Sequence, residues 1–413
     1  VNRTRGLRHG RQAWTLVGLV LLTVNLRAAI TGVPPLLGQL QATVHLSGLA
    51  VSALATLPVL CLGVFSAVAP ALGRRHGKEA TIAAALLATT AGIVLRVAPG
   101  PVALFAGTVL AGAGIAVGGA LLPAVIKQHF PAQVGPLTGV AMTLMAASGA
   151  VAAAAAVPLA QAAGWRLALA AWALPSLVAA LTWSPLAALA RRVPAPPQAR
   201  PDAGTLLRSP LAWSVSAFLG AVSLMFYVLV AWLPQIMQSR GYTPDEAGAM
   251  VSVMLATGIP LGFVTPYLAA RLHDQLPLVL AVAAVKVVGL GGILLLPGDA
   301  WVWAAVLGVA VGAAFPLAMT FLSLRSPDAA TTARLSGMAQ TAGYLLAGTG
   351  PLAFGLLHTA TGGWTTPLAL LGTLIVPEAL SGLRAARPGQ VRTAPPTRPA
   401  STPRPPRRET VHR

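Results

Sequence analysis

Apolar positions run along this chain in long blocks separated by short breaks of polar, proline and glycine residues. A window of about 19 to 20 residues picks out twelve such blocks, at about 13–37, 48–72, 79–97, 101–126, 135–160, 165–187, 211–236, 246–270, 276–296, 300–324, 335–360 and 364–384. Each is long enough to cross the hydrocarbon layer of a bilayer. Exposed backbone groups find no partner in lipid, so each block is expected to be an α-helix. The two-residue alternation that a transmembrane barrel needs is missing. The predicted fold class is an all-α integral membrane protein with twelve transmembrane helices.

Composition agrees with the pattern. Of 413 residues, 56% are hydrophobic and 9% charged, with a mean hydropathy of +0.75, where soluble domains carry roughly a quarter charged residues. The formal charge of +19 comes from 28 Lys and Arg against 9 Asp and Glu. Such an excess has two readings, a nucleic-acid footprint or membrane topology, and its placement favours the second. Numbered by connection, 23 of the 28 basic residues fall on one side, 3 (Arg96, Arg166, Arg240) on the other, and 2 (Arg27, Lys286) inside spans. That bias predicts a multi-pass protein of the cell inner (plasma) membrane with both termini cytoplasmic. Trp14, Trp183 and Trp213 fall at the basic ends of spans and Trp165, Trp301, Trp303 and Trp364 at the others, as two aromatic belts would require. The first apolar block is too long for a signal-peptide core of ~7 to 15 residues and is expected to stay attached. The lone Cys61 excludes an intrachain disulfide and a cysteine metal cluster.

An internal repeat runs through the chain at an offset of about 196 to 200 residues. Residues 48–52 (GLAVS) match 248–252 (GAMVS). Pro70 with its basic loop GRRHGKE (73–79) matches Pro266 with AARLHD (269–274). Gly112 followed by Pro131 matches Gly308 followed by Pro327, and TGV (138–140) leading to Gly164-Trp165 matches SGM (336–338) leading to Gly363-Trp364. Four matches in order at one offset point to two pseudo-symmetric six-helix halves. The organisation read from this is a cytoplasmic basic arm (1–12), a first half (13–187), a Pro-rich cytoplasmic linker (188–210), a second half (211–384) and a disordered cytoplasmic tail (385–413).

Six plus six helices with a basic loop after the second helix of each half resemble the major facilitator superfamily. Arg75, Gly77 and Lys78 fit that superfamily's loop signature, while Arg74 or Gly73 stands where an acid is usual, so the expected acidic partner of a charge lock is missing from its place. NLRAAITGVPPLL (25–37), LLPAVIKQHFP (121–131), FYVLVAWLPQIM (226–237) and residues 333–364 resemble one branch, the cyanate and 2-nitroimidazole transporter family. The resemblance implies alternating access around a midplane site, with the 73–79 loop (Arg74, Arg75, Lys78) and its partner at Arg271 gating the cytoplasmic side.

The residues themselves carry a second line of reading. Arg27 lies roughly 14 to 20 Å from either end of its span at ~1.5 Å per residue. A central Arg costs at least ~2.5 kcal/mol on insertion scales, so it needs company. Thr23, Arg27, Thr31 and Pro34 share a helix face, with Asn25 beside it, and Arg27 either holds an anionic or strongly dipolar solute or ties its helix to carbonyls of another. No carboxylate falls at midplane near it. A carrier of cationic drugs would need one. Further cavity-wall candidates are Ser223, Tyr227 and Trp232 in the seventh span and Gln340 and Tyr344 in the eleventh, each equally able to serve as a packing hydrogen bond. Lys286, near the middle of the ninth span, is a coupling site if it faces the bundle and a snorkelling side chain if it faces lipid. Glu378 reads as half of a local structural pair, and His45 and His358 as solvated. Glycine runs are not followed by the Lys-Ser/Thr of a nucleotide loop, and no metal-ligand spacing occurs, so no cofactor, metal or enzymatic chemistry is expected. The sequence therefore predicts a secondary active transporter of a small anionic or polar solute, cyanate-like or nitroimidazole-like, with protons as the candidate coupling ion and no nucleic-acid partner. The alternative is multidrug or metabolite efflux on the same fold.

Overall fold

The computed structural model describes residues 2–192 and 206–391. All its regular structure is helical, and no strand occurs among the described residues. In chain order the helices are α1 (Asn2–Thr31), α2 (Leu37–Val44), α3 (Gly48–Ser66), α4 (Ala69–His76), α5 (Lys78–Arg96), α6 (Pro101–His129), α7 (Val134–Ala170), α8 (Ala173–Arg192), α9 (Pro210–Gln238), α10 (Pro244–Arg271), α11 (Leu276–Leu295), α12 (Ala300–Leu324), α13 (Ala329–Thr361), α14 (Thr365–Thr373) and α15 (Ile375–Ala386). Large apolar side chains stand outward all round, among them Val102, Leu295, Leu174 and Leu352, a surface that suits lipid and not water.

By length and apolarity nine described stretches can cross a membrane, or ten if the bent pair from Thr56 to His76 is one span. This differs from the twelve predicted, for identifiable reasons. The stretch Pro131–Ala190 holds two of the predicted spans, with Gly164 at φ +80° breaking the helix between them. Helix α13, the eleventh predicted span, carries Thr331, Thr332, Arg334, Ser336, Gln340 and Thr341 and is not among the stretches apolar enough to qualify. The second predicted span is α3 and α4, bent by 50°.

Local chemistry sets the helix ends. Thr243 and Glu246 form a capping box at the start of α10, and Asp328 caps α13 by accepting from the backbone N–H groups of Ala330 and Thr331. Pro34 and Pro35 stop α1, whose last carbonyls are then met one by one: Ala28 O by Gly32 N, Ile30 O by Val33 N, and Ala29 O by the Arg96 guanidinium at 2.9 Å.

Helices α6 and α12 are the most buried spans, and the main core packs around them with α1, α9 and α13. The repeat is visible as one contact made twice. Gly112 of α6 lies against Cys61 of α3, and Gly308 of α12 lies against Thr257 of α10, both members shifted by 196 residues. A side chain at either glycine would collide with the partner helix, which is why small residues recur there.

The tryptophans fill the belts only in part. Trp14, Trp213 and Trp301 are exposed, but Trp183 is fully buried over Gly18, donating to its carbonyl at 2.8 Å, and Trp165 is buried as well. The tail also departs from the expectation of disorder after Arg384. Val391 is buried, and its N–H donates to Arg325 O at 2.8 Å. Most of the 188–210 linker and the tail beyond 391 lie outside the described residues.

Candidate functional site

Arg27 is half-buried on α1, with its guanidinium over the Phe226 ring of α9, 5.4 Å from the centroid. Among the described residues its guanidinium makes no hydrogen bond and no ion pair, while its backbone carbonyl accepts from the Thr31 hydroxyl at 3.1 Å. The tie to carbonyls of another helix, one of its two sequence readings, is thus not made. Tyr227 of α9 and Tyr344 of α13 both lie within electrostatic reach of Arg27, and Phe226 and Tyr227 meet edge to face with centroids 5.3 Å apart. Gly149 of α7 makes the room: a Cβ there would sit 2.7 Å from the Arg27 Cγ. A guanidinium with open donors, one aromatic face and two nearby phenols make a cationic, partly apolar cluster. Such a cluster fits a small anion or dipole.

The other candidates divide between this cluster and helix ties. Gln340 is buried on the same helix as Tyr344. Its Nε2 donates to Ser336 Oγ at 2.9 Å and more weakly to Gly119 O of α6. Ser223, one turn before Tyr227, is buried with no hydrogen-bond partner for its hydroxyl. Asn25 donates to Leu21 O at 2.7 Å and to Pro175 O of α8 at 3.2 Å, while Thr31 donates to Gly149 O at 2.9 Å. Both side chains lock α1 to its neighbours. Trp232 donates to Pro351 O at 2.8 Å and stacks near Phe354 and Trp364, in an aromatic group that also holds His358, whose ring lies 3.7 Å from that of Trp364. His358 is therefore not a loose solvated histidine. His45 ends α2 in the left-handed region, at φ 55°.

Lys286 is fully buried and bonded to Glu378 at 2.5 Å, joining α11 to α15. This pair and His129–Glu79 are the two ion pairs among the described residues. None of the described acids pairs with Arg27.

The basic face gathers the loop 73–79 with the ends of α6, α12 and α15. Arg74 and Arg75 are exposed and bond to no described residue, and Arg271 stacks on Tyr267 of its own helix at 4.3 Å. Lys78 donates to Gln128 Oε1 at 2.6 Å, Gln128 donates in turn to Glu79 Oε1 at 2.9 Å, and His129 meets the same oxygen at 3.0 Å. Glu79, directly after Lys78, thus ties the start of α5 to the end of α6 within the first half. Asp328 adds its field at both Lys78 and Lys127. Arg325, buried at the end of α12, donates to Ala385 O at 2.6 Å, to Ala386 O at 2.7 Å and to Gln275 Oε1, completing the carbonyl end of α15. Burial lowers its pKa from the ordinary guanidinium value, and Asp274 opposes the shift.

Three residues of consequence escaped the sequence reading. Lys127 donates across to Ser323 O at 2.6 Å and to Ser326 O, although its place at the end of a span reads as interfacial. Arg96, counted as a loop cation, is buried with its Nε and one terminal nitrogen unpartnered. Glu79 was visible only as an acid in a connection. Of the three, only Lys127 carried a usable sign, because its partner Ser323 is its own counterpart at the repeat offset.

The Major Facilitator Superfamily profile matches residues 19–351. A 2-nitroimidazole transporter of Escherichia coli (strain K12) is 38% identical over 91% of this chain and 96% of its own. The cyanate transport protein CynX of the same strain is 28% identical over 90% of this chain and 97% of its own. Among solved structures, the proton:xylose symporter XylE aligns with a TM-score of 0.75 at 14% identity, over 94% of this chain and 98% of that one, a likeness of fold.

Proposed function

The chain belongs to the Major Facilitator Superfamily, and from that membership we propose that it is a secondary transporter of a small anionic or polar solute. The halves 13–187 and 211–384 rock about a midplane site in which Arg27 holds the solute, flanked by Phe226, Tyr227 and Tyr344, with Gln340 and Ser223 on the same helices. The basic face is the cytoplasmic one, and the membrane is the plasma membrane.

One observation carries the reading: Arg27 is a deeply placed cation that has the Phe226 ring beside it but no described acid or hydrogen-bond acceptor for its guanidinium. A guanidinium in a bilayer-spanning bundle is costly unless something pairs with it. An arriving anion or dipole supplies that partner and leaves again, and a fixed carboxylate would compete with it. Relatives named for 2-nitroimidazole and cyanate support the solute class.

The test is uptake of labelled cyanate and of a nitroimidazole panel into proteoliposomes, with and without a pH gradient. Arg27→Ala is expected to lower transport about 10- to 100-fold while the protein still inserts, the range of one charge-assisted hydrogen bond. Arg27→Lys keeps the charge without the fork and falls between. Unimpaired transport by inserted Arg27→Ala removes Arg27 from the site. Transport that follows the imposed gradient identifies the proton as coupling ion.

A further inference from the structure

Alternating access, the mode of transport proposed for this chain, needs a contact between the halves that forms on one face and breaks when that face opens, and a gating role for any such contact rests on that reading. Arg74, Arg75 and Arg271, the cations that the loop signature favours, make no such contact among the described residues. Lys127 does. We propose that Lys127 is the latch of the basic face: its ammonium, carried by α6 in the first half, closes on the carbonyl end of α12 in the second, and its release opens the site to that side.

The acceptors are prepared by the sequence. Ser323 O would ordinarily receive the N–H four residues on, but that residue is Pro327 and has none. Ser326 lies just past the end of α12, and no described backbone N–H donates to its carbonyl. The neighbouring carbonyls are met within the chain, Phe321 O by Arg325 N and Leu322 O by the Ser326 hydroxyl. Two orphan carbonyls therefore remain at the negative end of a helix, and Lys127 Nζ donates to both, at 2.6 Å to Ser323 O. Asp328, close enough to act on the ammonium, adds to the attraction. Ser323 and Ser326 are buried, so opening the latch strands their carbonyls unless water enters with the opening.

Position supports the role. Lys127 and Ser323 occupy equivalent places in the two halves, 196 residues apart. A residue can touch its own counterpart only near the pseudo-two-fold axis. Toward this face the halves approach at backbone distance, and two of the contacts form a pair: a Cβ on Gly139 of α7 would lie 2.9 Å from Phe263 O of α10, and one on Gly337 of α13 would lie 3.0 Å from Ser66 O of α3. These two contacts are also equivalents. The basic face is thus shut in this structure, and Lys127 is a charged group that spans it.

The test follows a thiol, not a solute. In a Cys61→Ser background, Gly119→Cys places a label on α6, at a position whose Cβ would lie 3.9 Å from Gln340 Oε1. A membrane-impermeant maleimide is applied from either side of sealed vesicles. With Lys127 intact, labelling from the basic face is expected to be slow. Lys127→Met is expected to speed it about tenfold, as loss of a hydrogen-bonded charge shifts a two-state population, and to slow labelling from the opposite face. Lys127→Arg, which keeps a donor of the same charge, restores the slow rate. Unchanged rates in inserted Lys127→Met, or an Arg variant as open as the Met variant, overturn the latch. If Lys127→Met does not insert, Lys127→Gln carries the same comparison. Rapid labelling of the parent from both faces at once removes alternating access itself, whatever Lys127 does.

Discussion

Lys286 and Glu378 show that a charged side chain deep in a bundle can be met by a partner on a neighbouring helix. The sequence left Lys286 between a coupling role and a place at the lipid edge, and in the structure it is buried against a carboxylate on α15. Removing one partner of a buried ion pair leaves an uncompensated charge and costs about 3–5 kcal/mol, whereas replacing both by apolar groups is far milder. Lys286→Met and Glu378→Gln are each expected to lower the melting temperature of the purified protein, and Lys286→Met with Glu378→Met together to recover most of it. If the stable double variant also keeps its response to an imposed pH gradient, the pair is a helix tie. Loss of that response alone would return Lys286 to coupling. Arg27 presents the opposite case, a cation with a ring beside it and no acid. Its depth and its lack of a carboxylate were legible in the sequence, because both follow from counting along one helix and down a short roll of acids. Its company was only partly legible. Tyr227 and Tyr344 could be named as cavity candidates, but Phe226 could not, since an apolar ring in an apolar span carries no mark of what faces it.

At the scale of elements, helix ends and close approaches carried the information that periodicity did not. The blocks of apolar sequence located the helices, yet Gly164 and the polar face of α13 changed how many stretches qualify as spans. Belts inferred from tryptophan failed at Trp183 and Trp165, which are swallowed by helix packing; amphipathic side chains mark an interface only where they reach it. The TGV and SGM matches proved more telling than they looked, because their glycines, Gly139 and Gly337, each form a backbone-level contact between the halves toward the basic face. Neither can accept a side chain without moving Phe263 or the Ser66 carbonyl. Gly337→Leu is therefore expected to hold that face ajar, raising labelling of Gly119→Cys from the basic side and reducing net transport, with Gly139→Leu doing the same from the equivalent interface. Labelling that stays at the parent rate in both inserted variants would mean that the face closes without these contacts. Arg96 belongs to this scale too. By meeting Ala29 O it finishes the end of α1 that Pro34 and Pro35 leave open, and no pattern in the sequence could tell that cation from an ordinary loop arginine.

For the whole molecule, the charge that first invited a nucleic-acid reading divides into groups with separate duties: surface cations such as Arg74 and Arg75, helix-end donors such as Lys127 and Arg325, the tie at Lys286, and the open guanidinium of Arg27. The repeat organises them, since the contacts Cys61–Gly112 and Thr257–Gly308 recur at a shift of 196 residues. It also sets a limit on how alike the halves can be. Where Lys127 meets its counterpart Ser323, a chain with two identical halves would press lysine against lysine, and the face would repel itself open. Arg27 opposite Phe226, 199 residues on, poses the same problem at the site itself. A latch of this kind is therefore heterologous by construction: one half brings the cation and the other the bare carbonyls, so the closed face has a donor side and an acceptor side although the halves share one fold.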